Sequence, residues 1–438
     1  MHSTNIERRE FLKAGATSAA AMLLTQNVPG QTPAGEGKPV RIGCVGAGRR
    51  GSSLLRNLVR MEGVEVVAIC DIDPAAAAKA EQMVVKSGRK SPELYTNGEE
   101  DFRRLMDRPD LDAVIIATPW EWHTTMAVHA MKAGKYVGVE VPCAITIDEC
   151  WQLVNTSEAT GVPCMMLENW SFRRDNLAVL KMIRQGHFGE IVHCHCAHSH
   201  NCIHWYFDAQ GRPRWSGNHL LKRNADQYPT HSLGPVLSWM DINCGDRFDT
   251  VVSMASRSLG IQDQLDRKHG KDHAPAKLPY KQGDIVTTMV RTSKGNTVVI
   301  AMDMQLPRPY DNRWQIQGTR GLYNEQRDAV FMADIPGKPE TWEPFAPYQT
   351  QYEHSWWKSS GAAHGAGHGG TDAIELREFV RSVRSRTQTP IDVYDSVTMS
   401  VIFPLSEQSI AAGSAPVKCP DFTRGKWKTT RPKFAVET

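Results

Sequence analysis

Val40-Arg41-Ile42-Gly43-Cys44-Val45-Gly46-Ala47-Gly48-Arg49-Arg50-Gly51 is the stretch on which the fold turns. Its first six residues form a short apolar run that reads as a buried strand, and glycines follow at 46, 48 and 51. Residues 52–61 read as a helix, and 64–70 as a second β-branched strand closed by Asp71. Strand, glycine turn, helix and strand make a βαβ unit of about 30 residues, with Asp71 standing 20 positions after Gly51. In such a unit Gly46, Gly48 and Gly51 permit a tight turn, close approach of backbone to a pyrophosphate, and close packing of helix on strand. The helix N-terminus then faces the anion. Asp71 accepts hydrogen bonds from a ribose diol and repels a 2′-phosphate, so NAD is favoured over NADP, although Arg49 and Arg50 offset part of that repulsion.

Outward from this unit the alternation continues with a helix over 99–106, a strand over 113–118, a helix over 124–133 and a strand over 136–139. A helix over 147–160 and a strand over 163–167 complete a parallel, doubly wound sheet. The pattern then changes. From Ile191 onward long β-rich runs dominate, including 285–292 and 297–304, joined across Lys294-Gly295-Asn296 as a hairpin. Two late helices, over 372–384 and 394–412, are expected to pack beside this second sheet. The division is 1–37 for signal and linker, 38–168 for a dinucleotide-binding domain, and 169–438 for an α+β substrate domain with an open, mixed or antiparallel sheet.

Composition agrees with two full-sized cores. The chain has 438 residues, 41% hydrophobic and 23% charged, which excludes a wholly disordered protein. Lys and Arg total 51 against 48 Asp and Glu, and a net charge of +3 is too small for a protein that coats nucleic acid. No apolar run reaches the roughly 18 residues of a membrane-spanning helix. Arg8-Arg9-Glu10-Phe11-Leu12-Lys13, followed by an uncharged, Ala-rich stretch and Pro29-Gly30, reads as a twin-arginine export signal. Export of an already folded protein suits a cofactor loaded in the cytoplasm. The destination is then the periplasm or the outside, and a homo-oligomer stays open.

Ten cysteines in a chain of this size do not make a disulfide scaffold. His193-Cys194-His195-Cys196 resembles a metal cluster, but on a strand alternate residues face opposite sides, so at most two could share an ion. His364 and His368 have i, i+4 spacing in a glycine-rich loop where a helix is disfavoured. No metal is expected.

Three further places carry chemistry. Thr118-Pro119-Trp120-Glu121-Trp122-His123 follows a strand at the carboxyl edge of the sheet, where doubly wound folds bind ligands. Its aromatics either flank a nicotinamide or plug the domain interface. Glu140-Val141-Pro142 occupies the same edge one strand later, and Asn169, past the next strand, offers an amide to a carboxamide or a sugar hydroxyl. In the second domain, His231 with Tyr228 before it, and Tyr310 in Pro307-Arg308-Pro309-Tyr310, supply acid–base groups able to meet at one sugar.

These motifs resemble the family of glucose-fructose oxidoreductase, inositol dehydrogenase and rhizopine-catabolism proteins across nearly the whole mature chain. That resemblance implies an N-terminal Rossmann domain, a C-terminal open sheet, and hydride transfer at a sugar or polyol carbon. The family's dehydrogenases usually carry lysine where this chain has Val141, and aspartate four residues before the catalytic histidine, where it has Gln227. Trp120-Glu121-Trp122-His123, Glu140-Val141-Pro142 and Tyr228-Pro229-Thr230-His231 are instead similar to the NAD-dependent α-N-acetylgalactosaminidases of glycoside hydrolase family 109. By that resemblance NAD is held by Arg49, Arg50, Asp71, Trp120, Glu121, Trp122, His123, Glu140, Val141 and Asn169. Sugar is held by Tyr228, Pro229, Thr230, His231 and Tyr310. Where the resemblance implies a tyrosine and an arginine at the sugar, this chain has His198 and Ser216, with Arg214 or Arg223 as substitute cations.

The expected activity is hydrolysis of a terminal sugar such as α-N-acetylgalactosamine or a related hexose. It would proceed by transient oxidation at C3, elimination across C1–C2, addition of water and re-reduction, with His231 as base at the C3 hydroxyl and Tyr228, or else Tyr310, as base at C2. No catalytic carboxylate pair is then required, unlike in most glycosidases. The competing readings are an exported sugar oxidoreductase with tightly bound NAD(P), and a binding protein without catalysis.

Overall fold

The computed structural model describes residues 37–333, 340–359 and 368–437. The twin-arginine stretch and His364 lie outside the described residues.

The first domain is a six-stranded parallel sheet in the order β3-β2-β1-β4-β5-β6. Its strands are β1 (Val40–Val45), β2 (Val64–Cys70), β3 (Glu93–Tyr95), β4 (Ala113–Ile116), β5 (Tyr136–Val139) and β6 (Cys164–Met166). Helices α1 (Arg49–Leu58), α2 (Pro74–Lys86), α3 (Asp101–Met106), α4 (Trp120–Lys132) and α5 (Ile147–Thr160) connect them. β1, β4 and β5 are almost wholly buried, as apolar strands covered on both faces must be. Strand order reverses between β1 and β4, so the carboxyl ends of these two strands open a crevice.

Local chemistry explains the helix boundaries and two departures from the sequence reading. α2 and β3 were not anticipated, yet α2 carries a plain start signal. Asp73 caps it by accepting from the Ala75 N–H at 2.9 Å, and Pro74 occupies the first position. α4 begins at Trp120 rather than at residue 124, directly after Pro119, so the Trp-Glu-Trp-His stretch is a first helical turn and not a loop. α5 follows the expectation, with a Thr146–Glu149 capping box at its start and Gly161 in the left-handed region at its end.

The second sheet has nine strands in the order β14-β13-β12-β11-β7-β10-β9-β8-β15. They are β7 (Ile191–Ser199), β8 (Phe248–Ala255), β9 (Ile285–Thr292), β10 (Thr297–Asp303), β11 (Gln315–Gly318), β12 (Gly321–Asn324), β13 (Ala329–Met332), β14 (Glu343–Pro344) and β15 (Val417–Lys418). β10 runs parallel to β7, and every other pairing is antiparallel. β9 and β10 form the hairpin expected across residues 294–296. Along β9 exposed and buried residues alternate strictly, so one face of the sheet is open and the other carries the core.

The late helices correct the expected layout. The helix Thr371–Ser385 returns to the first domain, where Phe379 packs at Gly138 of β5 and Arg384 donates to the Gly63 carbonyl at 3.0 Å. The second stretch is two helices, Val393–Ser400 and Ile402–Ala411. Ser396 and Ser400 accept from the backbone N–H groups of Met166 and Cys143, while Ser409 accepts from Ser253 of β8. The end of the chain thus ties both sheets together.

Candidate active site

A cleft of about 760 Å³ opens at the β1–β4 reversal and runs between the two domains. The glycine turn forms its floor. Gly46 has φ +88, and a Cβ there would stand 2.5 Å from the Ala117 carbonyl oxygen. A Cβ on Gly51 would stand 1.8 Å from the Gly46 oxygen, so the first turn of α1 lies directly on the loop. Gly48 caps α1, and nothing crowds it within 4 Å. The first turn of α1 carries no acidic residue. This is a cradle shaped for an anion at a helix N-terminus. Asp71 ends β2 beside it, accepting from the Ala47 N–H at 2.6 Å and the Asp73 N–H at 2.9 Å, and lines the cleft. Arg49 reaches over the Trp205 ring at 5.7 Å from the second domain.

Arg50 is placed differently from its neighbour. Its guanidinium meets Glu140 at 2.5 Å and Asp372, on the returning helix, at 2.7 Å. Burial opposes its charge, but Glu140 and Asp372 outweigh burial and hold the group above its usual range. Asp372 also faces His368 at 3.1 Å and accepts from the Asn169 amide at 2.8 Å. Asn169 is therefore joined to this network, and its remaining amide oxygen is buried without a partner.

The Trp-Glu-Trp-His turn divides its tasks. Trp120 packs among Trp215, His219 and Tyr228, with centroids 5.0 to 6.0 Å away, and Trp122 meets Phe102; both line the cleft. Glu121 faces His219 at 3.1 Å and is absent from the lining among the described residues. His123 is buried, its ring nitrogens 2.8 Å from the carbonyls of Pro142 and Thr118, so it fastens two strand-end loops together. Val141, also in the lining, is apolar and buried where a charged residue would meet the cleft.

On the opposite wall, Tyr228 and His231 line the cleft. The Tyr228 hydroxyl lies 3.4 Å from His231 Nε2, and His231 Nδ1 lies 2.7 Å from Glu168 Oε1. Glu168 is fully buried and accepts from the backbone N–H groups of Trp170 and Ser171 and from the Ser171 hydroxyl. Burial pushes Glu168 up to about 7 against those donors. Burial, reinforced by His368 and Arg50, keeps His231 neutral well below the usual histidine range. With Glu168 accepting at Nδ1, the lone pair of Nε2 faces Tyr228, which is the arrangement of a general base with an orienting carboxylate. Gly234 makes the pair possible, because a Cβ there would stand 1.9 Å from Glu168 Oε2.

The other expected sugar residues separate. Pro229 is buried and caps the helix Thr230–Trp239, and Thr230 is sealed with its hydroxyl unpartnered, so these two shape the turn that presents His231. Arg223 is a correction to its expected role as a sugar cation. It pairs with Glu407, donates to the Ile145 carbonyl at 2.9 Å and lies over the Phe403 ring, away from the cleft lining. Arg214 and Ser216 do line the cleft. Tyr310 is 39% exposed, its ring 5.6 Å from His198 and 5.9 Å from Trp170. Burial holds Tyr228 well above the usual phenol range, so it is a proton donor at rest, which weighs against an unaided base role at C2. His198 lies 5.1 Å from Tyr228 and 5.4 Å from His231, centroid to centroid.

Sequence reasoning passed over Glu168 and Asp372, and weighed His368 only as a metal ligand. Glu168 had a signal, since it directly follows the strand that precedes Asn169 and sits on the same ligand-bearing edge. His368 and Asp372 had none beyond a glycine-rich approach.

Residues 40–168 match the family model described as oxidoreductase family, NAD-binding Rossmann fold. Residues 172–429 match the one described as glycosyl hydrolase 109, C-terminal domain. The chain belongs to glycosyl hydrolase family 109. It is 40% identical to an alpha-N-acetylgalactosaminidase of Tannerella forsythia, over 98% of this chain and 99% of that one. It is likewise 40% identical to a glycosyl hydrolase family 109 protein of Stenotrophomonas maltophilia, over 99% of each chain. In fold this family 109 chain is similar to levoglucosan dehydrogenase in complex with NADH and L-sorbose, with a TM-score of 0.66 at 21% identity over 88% of this chain and all of the other. The glycine cradle and the match over 40–168 make the first domain a nicotinamide-dinucleotide-binding one.

Proposed function

We propose that the protein is a glycosidase that holds NAD in the β1–β4 cleft and uses it within each turnover. The observation that carries this reading is that the Tyr228–His231–Glu168 chain faces the same cleft as the glycine cradle. Acid–base chemistry and a dinucleotide can therefore act on one sugar. The relative from Tannerella forsythia supports α-N-acetylgalactosamine or a related hexose as the substrate class.

The cradle of Gly46, Gly48 and Gly51 and the N-terminus of α1 would hold the pyrophosphate, and Asp71 a ribose diol, whose 2′-hydroxyl favours NAD over NADP. Arg49, Trp120, Trp122, Glu140 and Val141 complete the walls. Bound there, the dinucleotide supplies a reversible hydride acceptor, so a sugar carbinol carbon passes through the ketone level and returns. His231 Nε2 receives the C3 hydroxyl proton, with Glu168 at Nδ1 offsetting the charge that develops. A ketone at C3 acidifies the C2 hydrogen. The Tyr228–His231–Glu168 chain removes it once His231 has passed the first proton to water in the cleft, because a buried phenol serves as base only while handing its own proton to His231, and the proton taken from C2 then goes to the departing glycosidic oxygen. The glycosidic oxygen leaves from C1, water adds there, and C2 is reprotonated. Val141 fits this cycle, since the cleft lacks the lysine that the dehydrogenase resemblance implies at that position.

An Arg8-Arg9 export signal fits the same reading, because outside the cytoplasm a bound cofactor must regain its starting state in every cycle. The test is a panel of aryl α- and β-glycosides offered to purified protein without added NAD. Aglycone release that disappears on cofactor stripping supports the proposal. Stoichiometric NADH accumulation from free sugars, without aglycone release, would instead make the protein a sugar oxidoreductase.

A further inference from the structure

At the end of β7 the chain places His198, His200 and Cys202 in sequence, at the i, i+2, i+4 spacing that puts side chains on one face of an extended segment. Their ligand atoms all lie within 4.8 Å of one another. The segment is fixed by its backbone, with the His200 N–H donating to the Asp303 carbonyl at 2.8 Å and the Cys202 N–H to the Met304 carbonyl at 3.0 Å. His198 is 1% exposed, and neither of its ring nitrogens has a hydrogen-bond partner. A buried donor or acceptor left unmatched is costly, and two on one ring is an unusual thing to keep. A metal ion bound at one nitrogen resolves half of that deficit.

We propose that His198, His200 and Cys202 form a zinc site with a fourth position open to water or to a sugar hydroxyl. Two imidazoles and a thiolate are the borderline-soft set that Zn²⁺ prefers, and three protein ligands with one vacancy are the pattern of sites that act on a bound molecule rather than purely brace a fold. Ligand bonds of about 2.0 to 2.3 Å draw the three atoms closer than the 4.8 Å within which they all lie. Binding releases the Cys202 thiol proton to solvent and changes no oxidation state. The His198 ring lies 5.4 Å from that of His231 and 5.6 Å from that of Tyr310, so the ion stands beside the acid–base chain. Farther back on β7, Cys194 and Cys196 are buried while His193 and His195 lie on the other, partly exposed face. His198, near the end of β7, is gathered with His200 and Cys202 of the segment that follows.

The proposal rests on the preceding reading only for the identity of the fourth ligand, so its test measures metal and not activity. Chelator-treated full-length protein is titrated with Co²⁺ alone and then with Zn²⁺ in competition. The expected result is one Co²⁺ per chain with a thiolate-to-cobalt charge-transfer band and the visible spectrum of a four-coordinate ion, bleached by one equivalent of Zn²⁺. Cys202→Ser should remove the charge-transfer band, and His200→Ala should weaken binding by at least about 10-fold. Less than a tenth of an equivalent bound, or a charge-transfer band that survives in Cys202→Ser, would overturn the site whatever the protein hydrolyses.

Discussion

The two walls of the cleft are built on opposite principles. The cradle in the dinucleotide wall comes from one continuous stretch, residues 40–71, and works mainly through backbone: a left-handed glycine, a helix N-terminus, and one carboxylate fixed by two N–H groups. On the opposite wall Tyr228, His231 and His368 line the cleft, with Glu168, His198 and Tyr310 packed near them; five separate segments deliver these six residues, and this wall works through side chains. A backbone site tolerates change around it but not within its glycines. A side-chain site depends on every segment that delivers a group, including positions such as Gly234 that touch no substrate.

The largest effect that this contrast predicts is at His231. His231→Ala should lower turnover by roughly 10²- to 10⁴-fold while the purified protein keeps its dinucleotide; loss of both together would show that the two walls are not separable. Next is Glu168→Gln. Because burial pushes this carboxyl up to about 7, the wild-type rate should fall as pH drops through that value, when Glu168 takes a proton and stops accepting from Nδ1. The glutamine variant should be slower at every pH and lack that acidic limb, whereas an unchanged pH profile would remove Glu168 from the chain.

Asp71→Ala comes third, on the other wall. Loss of one charge-assisted hydrogen-bond acceptor should weaken dinucleotide retention by about 1.5 to 3 kcal/mol, with the catalytic pH profile unaltered. Cofactor content measured on the purified variant decides it. Gly234→Ala should give the smallest effect and the most informative one. The Cβ must displace Glu168, so a loss of stability of about 1 to 3 kcal/mol should accompany a shifted pH profile, and dinucleotide retention should not change. The chemistry itself is checked by turnover in deuterated water. Deuterium is expected at C2 of the released sugar, and a C3 label on the substrate should be retained; no solvent deuterium at C2 would exclude elimination.

The same contrast explains what the sequence made legible. The βαβ unit was readable because its parts lie within one stretch and each has its own signature: an apolar run, three glycines, and an aspartate at a set distance. The hairpin across residues 294–296 was readable for the same reason. α2 was overlooked although Asp73-Pro74 announces it, because its alanine-rich face shows little amphipathic contrast. Tyr228 and His231 were found through resemblance to a family motif, not through spacing. Arg223 was misjudged because a cation near a sugar motif in sequence says nothing about the Glu407 carboxylate 184 positions later that captures it. His368 reaches the cleft, and Asp372 reaches Arg50, only because a helix from the far end of the chain returns to the first sheet, and no local pattern encodes that return.

The Arg50–Asp372 ion pair also has a consequence for the timing of synthesis. Its partners are 322 residues apart, which at ribosomal speeds is a lag of roughly 15 to 60 s. During that interval the nascent first domain has its glycine loop and α1, but Arg50 has only Glu140 to meet, and the surface of β5 awaiting Phe379 is uncovered. The nucleotide pocket is thus among the last parts of the molecule to mature, although its fingerprint is among the first to leave the ribosome. Chains truncated before Thr371 should emerge with a formed sheet and an unfinished pocket, so the pocket waits on the last sixth of the chain.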